Sequence, residues 1–443
     1  MRFNLSLFVF LLLVATRAPA VDLLDAYQEA AGSNPQLAAA RANLDAVREQ
    51  RPQARAGLLP TLGINASYTP NRYKSRNPSR PVEVSTDKLA SLTLSQPLFR
   101  YDRWIQLRQA DSEIARAEAD YLAAEQSLMV TVSERYFKVL EAQSNLVFAE
   151  SEKAAIGRQL DQATQRFEVG LIAITDVKAA QARYDLSVSR EIQAVSDLAN
   201  AKDSLREVVG THYDKVDLLK PKLELSNPEP DSADDWIDRA RQHNLSILSA
   251  QAGAETARQQ IDLQRAGHLP TLDINASTSY SDSGGAFPRE GDRSEIGLEL
   301  NVPIYSGGSV SSRTRQARSR FQEATENLSQ TVRSVELETR NAFRGVKTDI
   351  AQVKALARSL ESTEVAVQAE EAGYEVGTRT IVDVLNAQQE YYLARLNYAR
   401  ARYLYVVDQL RLKKAAGILT EDDLAEVNKA LITPPPTQMS RQP

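Results

Sequence analysis

Arg55-Ala56-Gly57-Leu58-Leu59-Pro60-Thr61-Leu62-Gly63-Ile64-Asn65-Ala66-Ser67 is written again, 210 residues on, as Arg265-Ala266-Gly267-His268-Leu269-Pro270-Thr271-Leu272-Asp273-Ile274-Asn275-Ala276-Ser277. The copies differ at Leu58/His268 and Gly63/Asp273. Fainter echoes follow in the same order: 92–99 against 298–305, and Phe167-Glu168-Val169-Gly170 against Tyr374-Glu375-Val376-Gly377. Such ordered repetition reads as an internal tandem duplication. It divides the chain into a first repeat over 21–220, a linker over 221–235 rich in Pro, Asp and Ser, and a second repeat over 236–430.

Inside the repeated segments apolar and polar residues alternate. Leu62, Ile64, Ala66 and Tyr68 take turns with Gly63, Asn65, Ser67 and Thr69; Ile296, Leu298, Leu300 and Val302 do so with Gly297, Glu299 and Asn301. A period of two belongs to a strand with one apolar and one polar face. With 92–95 and 272–275 in the same pattern, the chain holds four strands of about ten residues, joined by loops over 70–83 and 281–292. A sandwich accounts for the period but offers these strands no second sheet. A transmembrane barrel accounts for it differently, since about 9–11 tilted residues cross a bilayer with apolar side chains to lipid and polar ones to a wet lumen. Ile64, Leu94, Ile274 and Leu298 are then lipid-facing, and Asn65, Asn275 and Glu299 line the lumen. Four strands cannot close a barrel, and an open edge in lipid leaves backbone groups unpaired. Closure therefore calls for several copies of the chain.

Between the strand zones lie two stretches without proline, 98–220 and 304–433, which read as long helices. In the first, Leu107, Ile114, Tyr121 and Leu128 recur every seven residues, and the apolar set resumes at Val132, Val139 and Leu146 after a step of four. This is a coiled-coil seam with a stutter. A helix over 101–168 is about 100 Å long, too long for a compact globular domain. Gly170 and Gly377 stop these helices at matching places, and Thr175-Asp176 and Thr380 to Asp383 offer side chains to cap the helices that return. The return helices end near Gly210 and Gly417, and the tail over 431–443 is expected to be disordered.

Residues 1–20 combine a basic start at Arg2, an apolar run over 5–14 and the small residues Ala18-Pro19-Ala20. That reads as an export signal, with a cut expected to leave Val21. Cysteine is absent, so export brings neither disulfides nor a thiol for lipid attachment. The 53 basic residues against 58 acidic ones give no bias toward nucleic acid. His212, His243 and His268 have no metal-binding spacing, and no nucleophile set, acid pair or nucleotide motif appears. No cofactor is implied, and any energy for transport must come from partners.

The segments 159–167 (Gln-Leu-Asp-Gln-Ala-Thr-Gln-Arg-Phe), Val169-Gly170-Leu171, Ala173-Ile174-Thr175-Asp176-Val177, Gly373-Tyr374, 376–385 (Val-Gly-Thr-Arg-Thr-Ile-Val-Asp-Val-Leu) and the two Leu-Pro-Thr-Leu runs resemble the TolC family of outer-membrane efflux and secretion ducts. The resemblance extends from about Leu23 to Ala430. It implies a mixed α/β membrane protein: a homotrimer in which each chain lends its strands to a twelve-stranded outer-membrane β-barrel, continued by a long periplasmic α-helical barrel. It further implies efflux of drugs and small molecules, type I protein secretion or both, with a periplasmic adaptor protein and an inner-membrane efflux pump or ABC transporter as partners. The missing cysteine points to the unlipidated branch. A structural or adhesive periplasmic coiled coil with a small β cap is the alternative from another class.

The resemblance also assigns residues. Tyr374 and Arg379 are those that tie the inner coil to Asp176 and Thr175 on its neighbour and hold the periplasmic end shut. Asp383 forms a ring of carboxylates at the pore mouth. A close relative has a second Asp where this chain has Asn386, so cation preference should be weaker here, and Asn386→Asp should raise it. Glu390 lies one turn further on, where a solvated face is its first assignment. The turns at Gly170 and Gly377 are the adaptor-docking tips.

Overall fold

The two proline-free stretches fold as long helical hairpins in the computed structural model, which describes residues 21–74, 82–284 and 288–433. The segment expected to be an export signal, 1–20, and the part of the expected tail beyond Thr433 lie outside the described residues. In the first half, helices α1 (Leu23–Ser33), α2 (Pro35–Arg48) and α3 (Gln50–Ala56) lead to strands β1 (Thr61–Tyr73) and β2 (Glu83–Phe99). Helix α4 (Tyr101–Glu168), its return α5 (Ile174–Val209) and the short strand β3 (Leu218–Leu219) complete that half. The second half repeats the plan with α6 (Ala233–His243), α7 (Leu245–Arg265), β4 (Thr271–Ser283), β5 (Arg289–Asn301), α8 (Ser309–Glu375) and α9 (Ile381–Ala415), closing with α10 (Glu421–Asn428) and β6 (Leu431–Ile432). Among the described residues no helix is long and apolar enough to cross a membrane.

The strands form one antiparallel sheet in the order β1-β2-β4-β5, so β1 and β5 each pair on one side only. Cross-strand partners share a face, and the register puts Leu62 opposite Leu94, Ile64 opposite Leu92, Leu94 opposite Ala276 and Ile274 opposite Leu298. Ile64, Leu94, Ile274 and Leu298 thus share one face, while Asn65, Asn275 and Glu299 share the other. On the polar face Ser95 Oγ donates to Asn275 Oδ1 at 2.8 Å, and Asn275 Nδ2 donates to Glu299 Oε2 at 2.8 Å. The apolar face is bare: Ile64 is 82% exposed and Leu298 69%. A bulge between Pro97 and Phe99 bends β2 as it leaves the sheet toward α4.

The strands outrun the loops expected over 70–83 and 281–292, since β1 continues to Tyr73, β2 starts at Glu83, β4 ends at Ser283 and β5 starts at Arg289. The physical reason is that both faces become polar there and polar side chains zip the strands together. Asn71 Nδ2 donates to Asp87 at 2.6 Å, Ser283 Oγ to Asp87 at 2.7 Å, and Lys88 pairs with Asp282 at 2.9 Å. Alternation of apolar with polar residues, the signal used to find the strands, has faded by that point.

Helix α4 has 68 residues and α8 has 67, each about 100 Å long at 1.5 Å per residue. One end of α4 packs against α2 and α7, the other against α5 and α9. Leu128, Val132 and Val139 of the expected seam are buried, whereas Leu107, Ile114, Tyr121 and Leu146 are half-buried. The main core surrounds the middle of the molecule, where Tyr27, Tyr136, Leu140, Tyr405 and Leu410 meet with almost no exposure. Matching asparagines fasten each half there. Asn34 caps α2 and donates to Val208 O of α5 at 3.2 Å; Asn244 caps α7 and donates to Ala415 O of α9 at 2.9 Å.

Three boundaries differ from expectation. Leu431 and Ile432, expected in a disordered tail, pair with Leu219 and Leu218, because Leu431 is buried against the core. Helix α6 starts inside the expected linker, capped by Ser232. Thr175 and Asp176 do not cap α5: its N-cap is Ala173, without a side-chain cap, which places both residues within the first turn.

Candidate functional site at the hairpin tips

Both tips are built by the same backbone device. After α4, Gly170 N–H donates to Phe167 O at 2.8 Å and Leu171 N–H to Arg166 O at 2.8 Å; after α8, Gly377 N–H donates to Tyr374 O at 3.2 Å and Thr378 N–H to Gly373 O at 2.9 Å. This paired closure needs a left-handed residue at its centre, and the two glycines have φ of +77° and +78°. Each turn then delivers the chain into a return helix with the tip open to solvent, Val169, Leu171 and Val376 all being exposed.

The tips converge on a small apolar cluster of Ile156, Ala163, Ala180, Tyr374, Ile381, Val384 and Leu385. Tyr374 is 8% exposed and the Arg166 guanidinium lies 4.7 Å from its ring centre, yet its hydroxyl has no hydrogen-bond partner among the described residues. Arg379 folds back on its own hairpin and pairs with Glu370 at 3.3 Å. Gly373 makes that fold-back possible, because a Cβ there would meet Arg379 Cγ at 2.5 Å. Thr175 is exposed and Asp176 half-exposed, and among the described residues neither side chain is hydrogen-bonded. The four expected gate residues therefore occupy neighbouring tips without bonding one another in a single chain.

Asp383 serves as one half of a capping box. Its Oδ2 accepts from the Thr380 backbone N–H at 2.9 Å and hydroxyl at 2.8 Å, while its own N–H donates to Thr380 Oγ1 at 3.3 Å. These donors hold the carboxyl below the usual carboxylate range, the backbone N–H contributing most. Capping and a fixed charge coexist in this geometry, since the cap keeps the group ionised. Asn386 is engaged: Arg183 Nη2 donates to its Oδ1 at 2.7 Å, and Arg183 Nη1 to Gln389 Oε1 at 2.6 Å. Glu390 is exposed. Gln388, buried on the opposite side of α9, donates to Glu371 Oε1 of α8 at 2.8 Å. Sequence reasoning missed Arg183, Gln389, Glu370 and Arg166. None stands in a pattern of spacing, and the contact of Arg183 with Asn386 spans 203 positions.

Comparison with known proteins bears on this geometry. A family described as outer membrane efflux protein matches residues 26–211 and 236–418. The outer membrane protein TolC of Escherichia coli strain K12 is 39% identical over 429 residues, covering 94% of this chain and 86% of that protein. TolC of Vibrio cholerae serotype O1 is 37% identical over 418 residues, covering 93% and 94%. Among solved structures, CusC superposes with a TM-score of 0.80 at 19% identity, over 90% of this chain and 93% of the other.

Proposed function

The chain belongs to the outer membrane efflux protein family, and from that premise we propose that it works as a homotrimer whose sheets join into one barrel above a shared helical tunnel. It is an outer-membrane channel for efflux or secretion that extends into the periplasm, and not an enzyme. One observation carries the trimer reading: a four-stranded sheet with a bare apolar face, a hydrogen-bonded polar face and two edges paired on one side only. Joined β1 to β5 around an axis, such sheets leave no edge in lipid. The matching elements of the two halves, down to Asn34 and Asn244, support their origin by duplication.

At the periplasmic end, Tyr374 and Arg379 meet Asp176 and Thr175 of the neighbouring coil. The buried, unpartnered hydroxyl of Tyr374 and the unengaged side chains of Thr175 and Asp176 support this. Asp383, kept ionised by its cap, supplies one acidic ring around the axis. The turns at Gly170 and Gly377 take a periplasmic adaptor, which couples the duct to an inner-membrane efflux pump or ABC transporter. Reconstitution into planar bilayers tests the reading. Discrete ion-conducting steps are expected, and a trimer that inserts without conducting would leave only the coiled-coil scaffold.

A further inference from the structure

Helices α5 and α9 belong to different hairpins and different halves of the chain. Among the described residues, the only hydrogen bonds joining them are the two made by Arg183, to Gln389 Oε1 at 2.6 Å and Asn386 Oδ1 at 2.7 Å. The acceptors are three positions apart on α9 and so share one helix face. The planar fork of a guanidinium meets both at once, which a lysine's single ammonium does less well. Arg183 sits about 14 Å along α5 from the tip, near the region that the duct must widen to pass cargo.

Both acceptors are neutral amides, so neither group bonded to Arg183 cancels its charge; the buried Glu152 carboxylate of α4 feels it only at longer range. Among the described residues no nearby carboxylate forms an ion pair with Arg183, although Asp185 and Asp383 have only neutral donors and keep their own charge. Glu152 pairs with Arg190 at 2.7 Å, Asp185 accepts from Gln181 at 2.9 Å, and Asp383 is turned toward Thr380. At the level of Asn386 each chain therefore presents a guanidinium whose directly bonded partners are both neutral.

We propose that Arg183 is a latch that holds the second hairpin to the first near the tips, and that its charge, not paired to any bonded carboxylate, offsets the acidic character of the entrance. The inference rests on the duct reading for its consequence, and on the geometry of one chain for the latch itself. It changes the expectation for Asn386→Asp. A carboxylate at 386 lies within reach of Arg183, so it forms an ion pair, tightens the latch and adds no free negative charge to the pore.

Two measurements on intact trimers test this. The chain has no cysteine, so spin labels can be placed at Ala182→Cys and Glu390→Cys, both exposed, and the distance between α5 and α9 read by pulsed electron resonance. Arg183→Ala should lengthen and broaden that distribution, with Arg183→Lys restoring it in part. In bilayers Arg183→Ala should raise the resting open probability roughly tenfold, as expected for losing a charged hydrogen-bonded tie. Asn386→Asp alone should leave ion preference near that of the parent, whereas combined with Arg183→Ala it should favour cations. An unchanged distance distribution in Arg183→Ala overturns the latch. Asn386→Asp raising cation preference as much as the double substitution overturns the charge offset. If the parent does not conduct, the duct reading falls, while the label distances still decide whether the latch exists.

Discussion

Tyr374 places two opposing demands on one side chain, a ring that packs among Ile156, Ala163 and Leu385 and a hydroxyl without an acceptor among the described residues. Leaving such a hydroxyl buried and unpaired costs about 1–3 kcal/mol, which an acceptor from the neighbouring coil would recover. Tyr374→Phe with Arg379→Ser keeps the ring and removes the polar ties, so resting conductance should rise while the trimer stays folded. Conductance equal to the parent's would leave Tyr374 a packing residue and Arg379 a surface side chain, neither with a part in the gate. Asp349 of α8 poses a different problem. Burial, the charge of Asp408 and a hydrogen bond with it push the Asp349 carboxyl up to about 7, with Arg411 opposing. Its folded state therefore keeps a proton that the unfolded chain releases near pH 4. Linkage makes this contribution fully present below that pH and lost as pH rises through about 7. Urea unfolding at pH 5 and pH 8 should show the parent weaker at the higher pH and Asp349→Asn nearly level; an Asn variant with the parent's slope would remove Asp349 as the source. Of these residues, the resemblance named Tyr374, Arg379, Asp383 and Asn386. Asp349 and Arg183 were illegible, because what distinguishes them is a partner on another helix and not a neighbour in the chain.

Strands and helices were legible to different depths. Helix α4 was readable to its ends, because missing proline, a heptad seam and a terminal glycine all mark the same 68 residues. The strands were legible only across their apolar band. Past Tyr68 the face that carries Leu62 and Ile64 continues with Lys88 and Asp282, and the period-two signal vanishes although the ladder goes on. That boundary also says where lipid contact should end. Leu298 lies inside the band, two-thirds exposed opposite Ile274, while Glu299 points the other way and accepts from Asn275 at 2.8 Å. Leu298→Arg should destabilise the inserted barrel by about 2–4 kcal/mol near mid-membrane, whereas Glu299→Gln should leave stability nearly unchanged and alter conductance. Equal tolerance of both substitutions, by unfolding in bilayers and by channel recording, would reverse the assignment of faces.

At the scale of the molecule, the single chain leaves its sheet open at both ends. Its sheet ends in β1 on one side and β5 on the other, each with a row of unpaired backbone groups. Its helices likewise form an open layer: α2 and α5 flank α4 on one side, and α8 closes the other against α7 and α9. A second copy would close the sheet at eight strands, a permitted barrel whose interior side chains nearly fill it. Such a barrel has no room for a conduit. A third copy gives twelve strands and leaves a lumen, where the polar row of Asn275, Glu299 and Ser95 is wetted while Ile64 and Leu298 meet lipid. The copy number was legible only through the resemblance, because periodicity within one chain specifies the face of a strand but not the circumference it joins. Native mass spectrometry of the detergent-solubilised protein should find a complex of three mature chains that resists dissociation, since separating them would expose two strand edges per chain at several kcal/mol for each stranded backbone group. A stable dimer would force the duct to be narrower than this reading allows, and a stable monomer would mean that the β1 and β5 edges are satisfied in some way other than by each other.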